Sequence, residues 1–229
     1  SAACLHAPAR LRATAAEVEA AIARAQGGDA AAVLEADKLL SRAWVAYVQA
    51  IHAPTPGMIY GEKWVTPRVP STFAVLGKAF RAPVLVDHMR SVAAVNPVYA
   101  GLRDAALKEA ALPGGGNSAR YAANLERARS IPATGKFLMV DVATAALWMY
   151  AKGRAVDSME VIVGDQKKNG TPTPMITSVI WYATLNPYWH VPDHMAKNII
   201  AKRVLSGGEG YLKKGGYEVV SDWAGTEVI

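Results

Sequence analysis

A chain of 229 residues, 52% hydrophobic and 19% charged, has the material for one large or two small globular domains and is not composed like a disordered protein. The formal charge of +6 favours anionic partners, but no block of five like charges occurs and the aromatics do not interleave with Lys and Arg, which argues against nucleic acid. Apolar runs are broken by charge, Gly or Pro well short of the ~20 residues that a membrane span needs.

The first residues carry the single cysteine, Cys4, with His6 as its only basic neighbour. One thiol makes no internal disulfide, so cysteine usage leaves the compartment open. Ser1-Ala2-Ala3-Cys4 lacks the bulky aliphatic residue of a lipoprotein attachment site, and Cys4 is read as incidental to a terminal segment. No charged n-region with an apolar core precedes it, so the expectation is a chain without a signal peptide, as a mature exported protein would be.

Residues 11–50 are Ala-rich and helical. Thr14 with Glu17 reads as a capping box for a helix over 17–25, and Gly27-Gly28 stops it. Asp29 can cap the next helix, in which Val33, Leu34, Leu39, Leu40, Trp44, Val45 and Val48 recur at helical spacing until Pro54, Pro56 and Gly57. Residues 58–71, with Gly61, Pro67 and Pro70, are expected to be an ordered irregular connection. Two helices over 71–80 and 83–92 follow, and Asn96-Pro97 opens a last one over 98–112. Trp44, Tyr47, Tyr60, Trp64, Phe73, Phe80 and Tyr99 are expected to build the core of this helical region.

Pro113-Gly114-Gly115-Gly116-Asn117-Ser118 is the clearest linker, and composition shifts across it from Ala-rich to β-branched and aromatic. The fold class is therefore α+β: a helical domain over 1–112, a linker over 113–119, and a mainly β domain over 120–229. The linker is the expected first site of limited proteolysis. A short helix over 121–130 ends at Ile131-Pro132. Strands are expected over 137–142, 146–150, 158–163 and 178–185, with the Pro-rich loop Gly170–Pro174 before the last. Residues 193–205 read as a short helix, which Asp193 can cap.

His190 and His194 are four apart, the spacing that places two imidazoles on one helix face. Pro192 between them keeps His190 out of the helix, no third ligand is apparent, and the loop reading is preferred to a metal site. Lys167-Lys168 lies in a Gly-bounded loop without P-loop spacing. Nothing in the sequence calls for a cofactor. Trp189, between two prolines, is read in two ways: as an apolar wall for a ligand, or as a core residue.

Several pieces together carry a family resemblance. Asn124-Leu125-Glu126-Arg127 precedes Pro132; Phe137–Val142 and Leu147–Tyr150 with Gly153 follow. Then come Val161-Ile162-Val163-Gly164, Thr173-Pro174 and the run Asn186-Pro187-Tyr188-Trp189-His190-Val191-Pro192. In this order and spacing they resemble the front part of the catalytic domain of the large murein L,D-transpeptidases of Gram-negative bacteria, and 30–112 more loosely resembles their helical scaffold domain. The resemblance implies a periplasmic transferase of peptidoglycan biosynthesis that acts on stem peptides by Cys acyl transfer. It places Tyr188, Trp189 and His190 at the substrate groove.

The family's Ser-His-Gly-Cys-x-Arg signature is absent, since no Cys follows position 4 and the last His is His194. No catalytic residue is therefore assigned. The chain is expected to be inactive alone, with its sheet completed by a C-terminal catalytic segment or a swapped neighbour. The alternative is a non-catalytic peptidoglycan-binding or scaffolding protein derived from that family.

Overall fold

The structure, a computed structural model, describes residues 9–112, 118–165 and 172–220. Cys4, His6, most of the expected linker, the Lys167-Lys168 loop and the chain beyond residue 220 lie outside the described residues. The architecture is α+β, and the chain divides into two compact units, Ser1–Val179 and Ile180–Ile229.

The first unit opens with α1 (Ala9–Ala25) and α2 (Ala30–Ile51). Helix α1 begins upstream of Thr14, so the expected capping box lies inside it rather than at its start. Helix α2 starts as the sequence suggests, with the Asp29 carboxylate accepting from the Ala32 amide at 2.9 Å. Its inner stripe, Ala36, Val45, Val48 and Ile51, keeps helical spacing. Val45 and Val48 meet Val75 of α3 (Thr72–Phe80), with Trp44, Tyr47, Leu76 and Val92 packed around them.

The expected aromatic core is only partly formed. Tyr99 is buried, and Trp44 stacks on Tyr47 at 5.7 Å, but Trp64, Phe73 and Phe80 are exposed. The reason is angular. At about 100° per residue, Phe73 and Phe80 lie roughly 140–160° around α3 from Val75, so the helix that buries Val75 must present both rings outward.

Helices α4 (Leu85–Ala94), α5 (Pro97–Ala110) and α6 (Ser118–Ala128) complete the helical part. Between α4 and α5, Val95 takes φ 56°, a costly conformation for a β-branched residue. Its neighbour Asn96 is buried and bonded on both ends of its amide. Oδ1 accepts from the Tyr99 amide at 2.9 Å, while Nδ2 donates to the carbonyls of Ala128 at 2.8 Å and Ile131 at 3.1 Å. Tyr99, Leu125 and Ala128 pack beside it, and Leu125 is 0% exposed.

Arg129, just past α6, turns back to α2. Its guanidinium donates to the carbonyls of Ile51 and Ala53 and pairs with Glu126. Thr55 adds a further tie, its hydroxyl bonding Ser130 at 2.7 Å and the Glu126 carbonyl at 3.2 Å, while its amide donates to the Tyr60 hydroxyl at 2.8 Å. These bonds join residues on both sides of the 113–119 segment.

The sheet is an antiparallel meander of β2 (Lys136–Asp141), β3 (Ala146–Ala151) and β4 (Arg154–Glu160). Asp141 organises the first turn, accepting from the Ala143 amide and the Thr144 hydroxyl. Lys152 and Gly153 make the second, with φ of 51° and 73°, the pair of left-handed residues that a tight hairpin takes. A Cβ at Gly153 would lie 3.3 Å from Pro97, so glycine also lets this turn approach the start of α5. Alternation puts Phe137, Met139, Trp148 and Tyr150 on one face, with Phe137 stacked on Tyr150 at 4.8 Å. Leu138, Val140, Met149 and Met159 occupy the other face and are exposed.

Two strand expectations are corrected. The third strand ends at Glu160 instead of reaching Val163, and residues 178–185 form no strand. Chain pairing occurs just before, where β5 (Ile176–Thr177) runs parallel to β1 (Ile59–Tyr60), a strand within the connection read as irregular. The Ile59 amide donates to the Met175 carbonyl and the Gly61 amide to that of Thr177. A Cβ at Gly61 would collide with Ser178, so this pairing needs glycine there.

The second unit holds an irregular run through Pro192, then α7 (Asp193–Met195), a π-helical turn over Ala196–Ile200, α8 (Ala201–Gly207) and α9 (Gly210–Gly215). Pro192, not Asp193, takes the cap position, and no side chain caps this helix. Helix α9 ends with Gly216 in the left-handed region and the Tyr217 amide donating back to Leu212, a glycine-terminated helix end.

Leu125→Ala is expected to lower stability by about 2–5 kcal/mol, the range for a fully enclosed leucine. Asn96→Ala, which removes a cap and takes one donor from each of the Ala128 and Ile131 carbonyls, is expected to cost about 2–4 kcal/mol. Denaturant titration of both variants measures this. Burial pushes the phenols of Tyr47 and Tyr99 above their ordinary value, most strongly at Tyr99, where Tyr47 adds to the effect. The unfolded chain ionises tyrosine near pH ~10 while the folded chain holds these protons. Stability is therefore constant in this respect below pH ~10 and falls as pH rises above it. Alkaline melts should show a shallower fall in Tyr99→Phe than in the parent.

Candidate functional site

The proposed site residues Tyr188, Trp189 and His190 lie in the second unit, on the irregular run that ends at Pro192. Asn186 opens the run with φ 49°, a conformation asparagine tolerates better than most residues. Pro187 and Pro192 remove two backbone donors, so this stretch is a poor ladder strand and keeps its side chains off a sheet. At the far end the Pro192 carbonyl accepts from the amides of Met195 and Ala196, both at 2.9 Å, which ties the run to the start of α7.

Tyr188 is 79% and Trp189 66% exposed, and His190 is exposed as well. Of the two readings of Trp189, burial in a core is not what the structure has. Trp181 and Tyr182, which the sequence assigned to a strand, are exposed in the same unit. The signal for them was available: four large aromatics fall within residues 181–189. His190 stands outside the helix, as Pro192 dictates, and His194 falls in its first turn.

The helices of this unit carry Lys197, Lys202, Arg203, Lys213 and Lys214, all exposed, against Asp193, Glu209 and Glu218. Arg203 donates to the Tyr211 hydroxyl at 3.1 Å and lies 5.8 Å from that ring's centre, and Tyr211 stacks on Tyr217 at 6.0 Å. The tyrosine hydrogen bond holds the Arg203 guanidinium above its already high ordinary value, so it stays cationic. Exposed aromatic rings suit a ligand with apolar parts, and the Lys and Arg of helices α8 and α9 suit carboxylates, although over residues 180–229 five basic side chains are balanced by five acidic ones.

The described residues contain no cysteine, and among them no group of three or more His, Cys, Asp or Glu could hold a metal ion. No helix among the described residues is long and apolar enough to cross a membrane.

A fluorescence prediction follows from the exposure alone. Trp189→Phe should remove a strongly quencher-accessible component of the tryptophan emission, read by acrylamide titration, and leave the melting temperature unchanged.

No curated protein and no solved structure matches this chain. Residues 135–217, which span the sheet, the aromatic run and the helices α7 to α9, match the YkuD family model, the L,D-transpeptidase catalytic domain, and this match supports the L,D-transpeptidase family for the chain.

Proposed function

We propose that this chain serves peptidoglycan cross-linking as a periplasmic L,D-transpeptidase, with residues 1–112 as helical scaffold and 120–229 as the N-terminal part of the catalytic domain. The observation that carries the reading is the coincidence of two findings. The YkuD match covers residues 135–217, and within it Tyr188, Trp189 and His190 stand exposed between two prolines. A ring held by flanking prolines has little freedom to lose on binding and offers an apolar wall to a donor stem peptide, while the nearby basic helices favour its carboxylates.

The reaction of the family is attack by a Cys thiolate on a stem-peptide amide, giving a thioester that a second stem's amine resolves. Residues 135–217 contain no cysteine, so their share of this chemistry is to hold the donor. The exposed sheet face of Leu138, Val140, Met149 and Met159 supports a covering partner, either a further catalytic segment or a neighbouring copy, because apolar area of this kind gains about 25 cal/mol per Å² when removed from water. The lack of a nucleophile in the matched segment also favours a second reading, a non-catalytic protein that binds or scaffolds the wall.

Both readings share a binding test. A stem tetrapeptide should change the tryptophan fluorescence of the 229-residue chain, and Trp189→Ala should weaken its affinity by about tenfold or more, the value of a buried aromatic contact. Equal affinity in both, with the variant folded, overturns the site. The two readings separate on chemistry. Incubation with donor and acceptor stems, followed by mass spectrometry, should give no cross-linked product from this chain alone. Product formed on adding a cysteine-bearing partner supports the enzyme; binding without product under any pairing supports the scaffold.

A further inference from the structure

We propose that the turn between α3 and α4 is a docking surface for an anionic lipid bilayer. Helix α3 spends its inward face on Val75 and Leu76, which leaves Phe73 and Phe80 outward, 84% and 91% exposed. The chain then turns through Ala82-Pro83 and enters α4 with Val84, Leu85 and Val86 all about half exposed. Helix α4 has no fully buried residue. Five large apolar side chains thus project from 14 consecutive residues, 73–86.

Cations accompany them. Lys78 and Arg81 line an open depression of about 610 Å³ together with Val84, Asp87, His88 and Ser91. The one acidic group, Asp87, is matched by Arg90 at 3.5 Å, which leaves Lys78 and Arg81 as unmatched positive charge beside the apolar turn. Helix α4 also starts without a side-chain cap, its N-cap being Val84, which lines the same depression.

This pairing of features selects the occupant. A protein core would want the phenylalanines but not two lysine- and arginine-borne charges among them, and a soluble anion would want the charges but not the phenylalanines. A bilayer surface takes both. Apolar side chains enter the boundary of the acyl region, while Lys78 and Arg81 meet phosphate oxygens. The formal charge of +6 draws the whole chain toward such a surface over a Debye length.

The test is co-sedimentation of the full 229-residue chain with vesicles of phosphatidylcholine alone and of phosphatidylcholine with phosphatidylglycerol. Binding is expected to the mixed vesicles, weakening with added salt, with little to phosphatidylcholine. Lys78→Gln with Arg81→Gln should reduce partitioning by roughly 25-fold, about fivefold per charge. Phe80→Ser with Leu85→Ser should reduce it by at least about tenfold. Both pairs alter exposed side chains, and circular dichroism confirms that they fold. In the parent, hydrogen exchange of residues 79–86 should slow when vesicles are added. Absence of binding, equal binding by the variants, or binding without protection of 79–86 overturns the proposal. A concentration-dependent dimer that Phe80→Ser abolishes overturns it too, in favour of a second copy on this surface.

Discussion

The first unit depends on how the C-terminal turn of α6 is fastened. Three polar side chains do this, each from a different stretch. Asn96 holds the carbonyls of Ala128 and Ile131 from the start of α5, Thr55 holds Glu126 and Ser130 from beyond α2, and Arg129 reaches back to Ile51 and Ala53. Each donates to backbone carbonyls at or just beyond a helix end, where intrahelical donors run out. Leu125 supplies the apolar contact between them. Only six residues separate Arg129 from the first residue of β2, so the place of the sheet is inherited from this junction. Its second contact with the helices is the hairpin turn at Gly153, drawn up to Pro97, the residue after Asn96. The sheet is therefore referred twice to the same corner of the helical region.

Helix existence was legible along the whole N-terminal region, because stripes such as Val45, Val48 and Ile51 and caps such as Asp29, Ser71 and Asn96 are local signals. The first two strands of the meander were legible too, from alternation over 137–150, whereas the third, expected over 158–163, lies at Arg154–Glu160. What local reading missed was set by contacts distant in sequence. Nothing in Ile59-Tyr60 or Ile176-Thr177 announces a strand until the two meet across more than a hundred residues. The failed strand over 178–185 shows the converse: Val179, Ile180, Trp181 and Tyr182 are residues that strands favour, but they have no partner ladder among the described residues. Phe73 and Phe80 were assigned to the core by residue type, whereas the phase of α3, fixed by Val75, decides where they point.

At the site, the position of His190 outside the helix was legible in the sequence, since it follows from backbone chemistry at Pro192. The sequence left the state of Trp189 open, and rightly, because burial is a property of surroundings rather than of spacing. Trp181 and Tyr182 were passed over when their segment was taken as strand. The family match over 135–217 includes the 186–192 motif, whose Tyr188 and Trp189 the structure leaves on the surface.

Strand β4 has a consequence for how the molecule behaves in crowded solution. All seven of its residues are exposed, and its outer side has no ladder partner among the described residues. Such an edge invites addition of another strand. Arg154, Asp157 and Glu160 lie along it at intervals of three. Two copies stacked parallel and in register would set each charge opposite its own kind, which disfavours fibre-like growth. An antiparallel pair centred on Asp157 would instead match Arg154 with Glu160 twice and oppose like charges once. The charge order on this edge thus discriminates by direction: it resists repetitive stacking while leaving a single, two-fold pairing open.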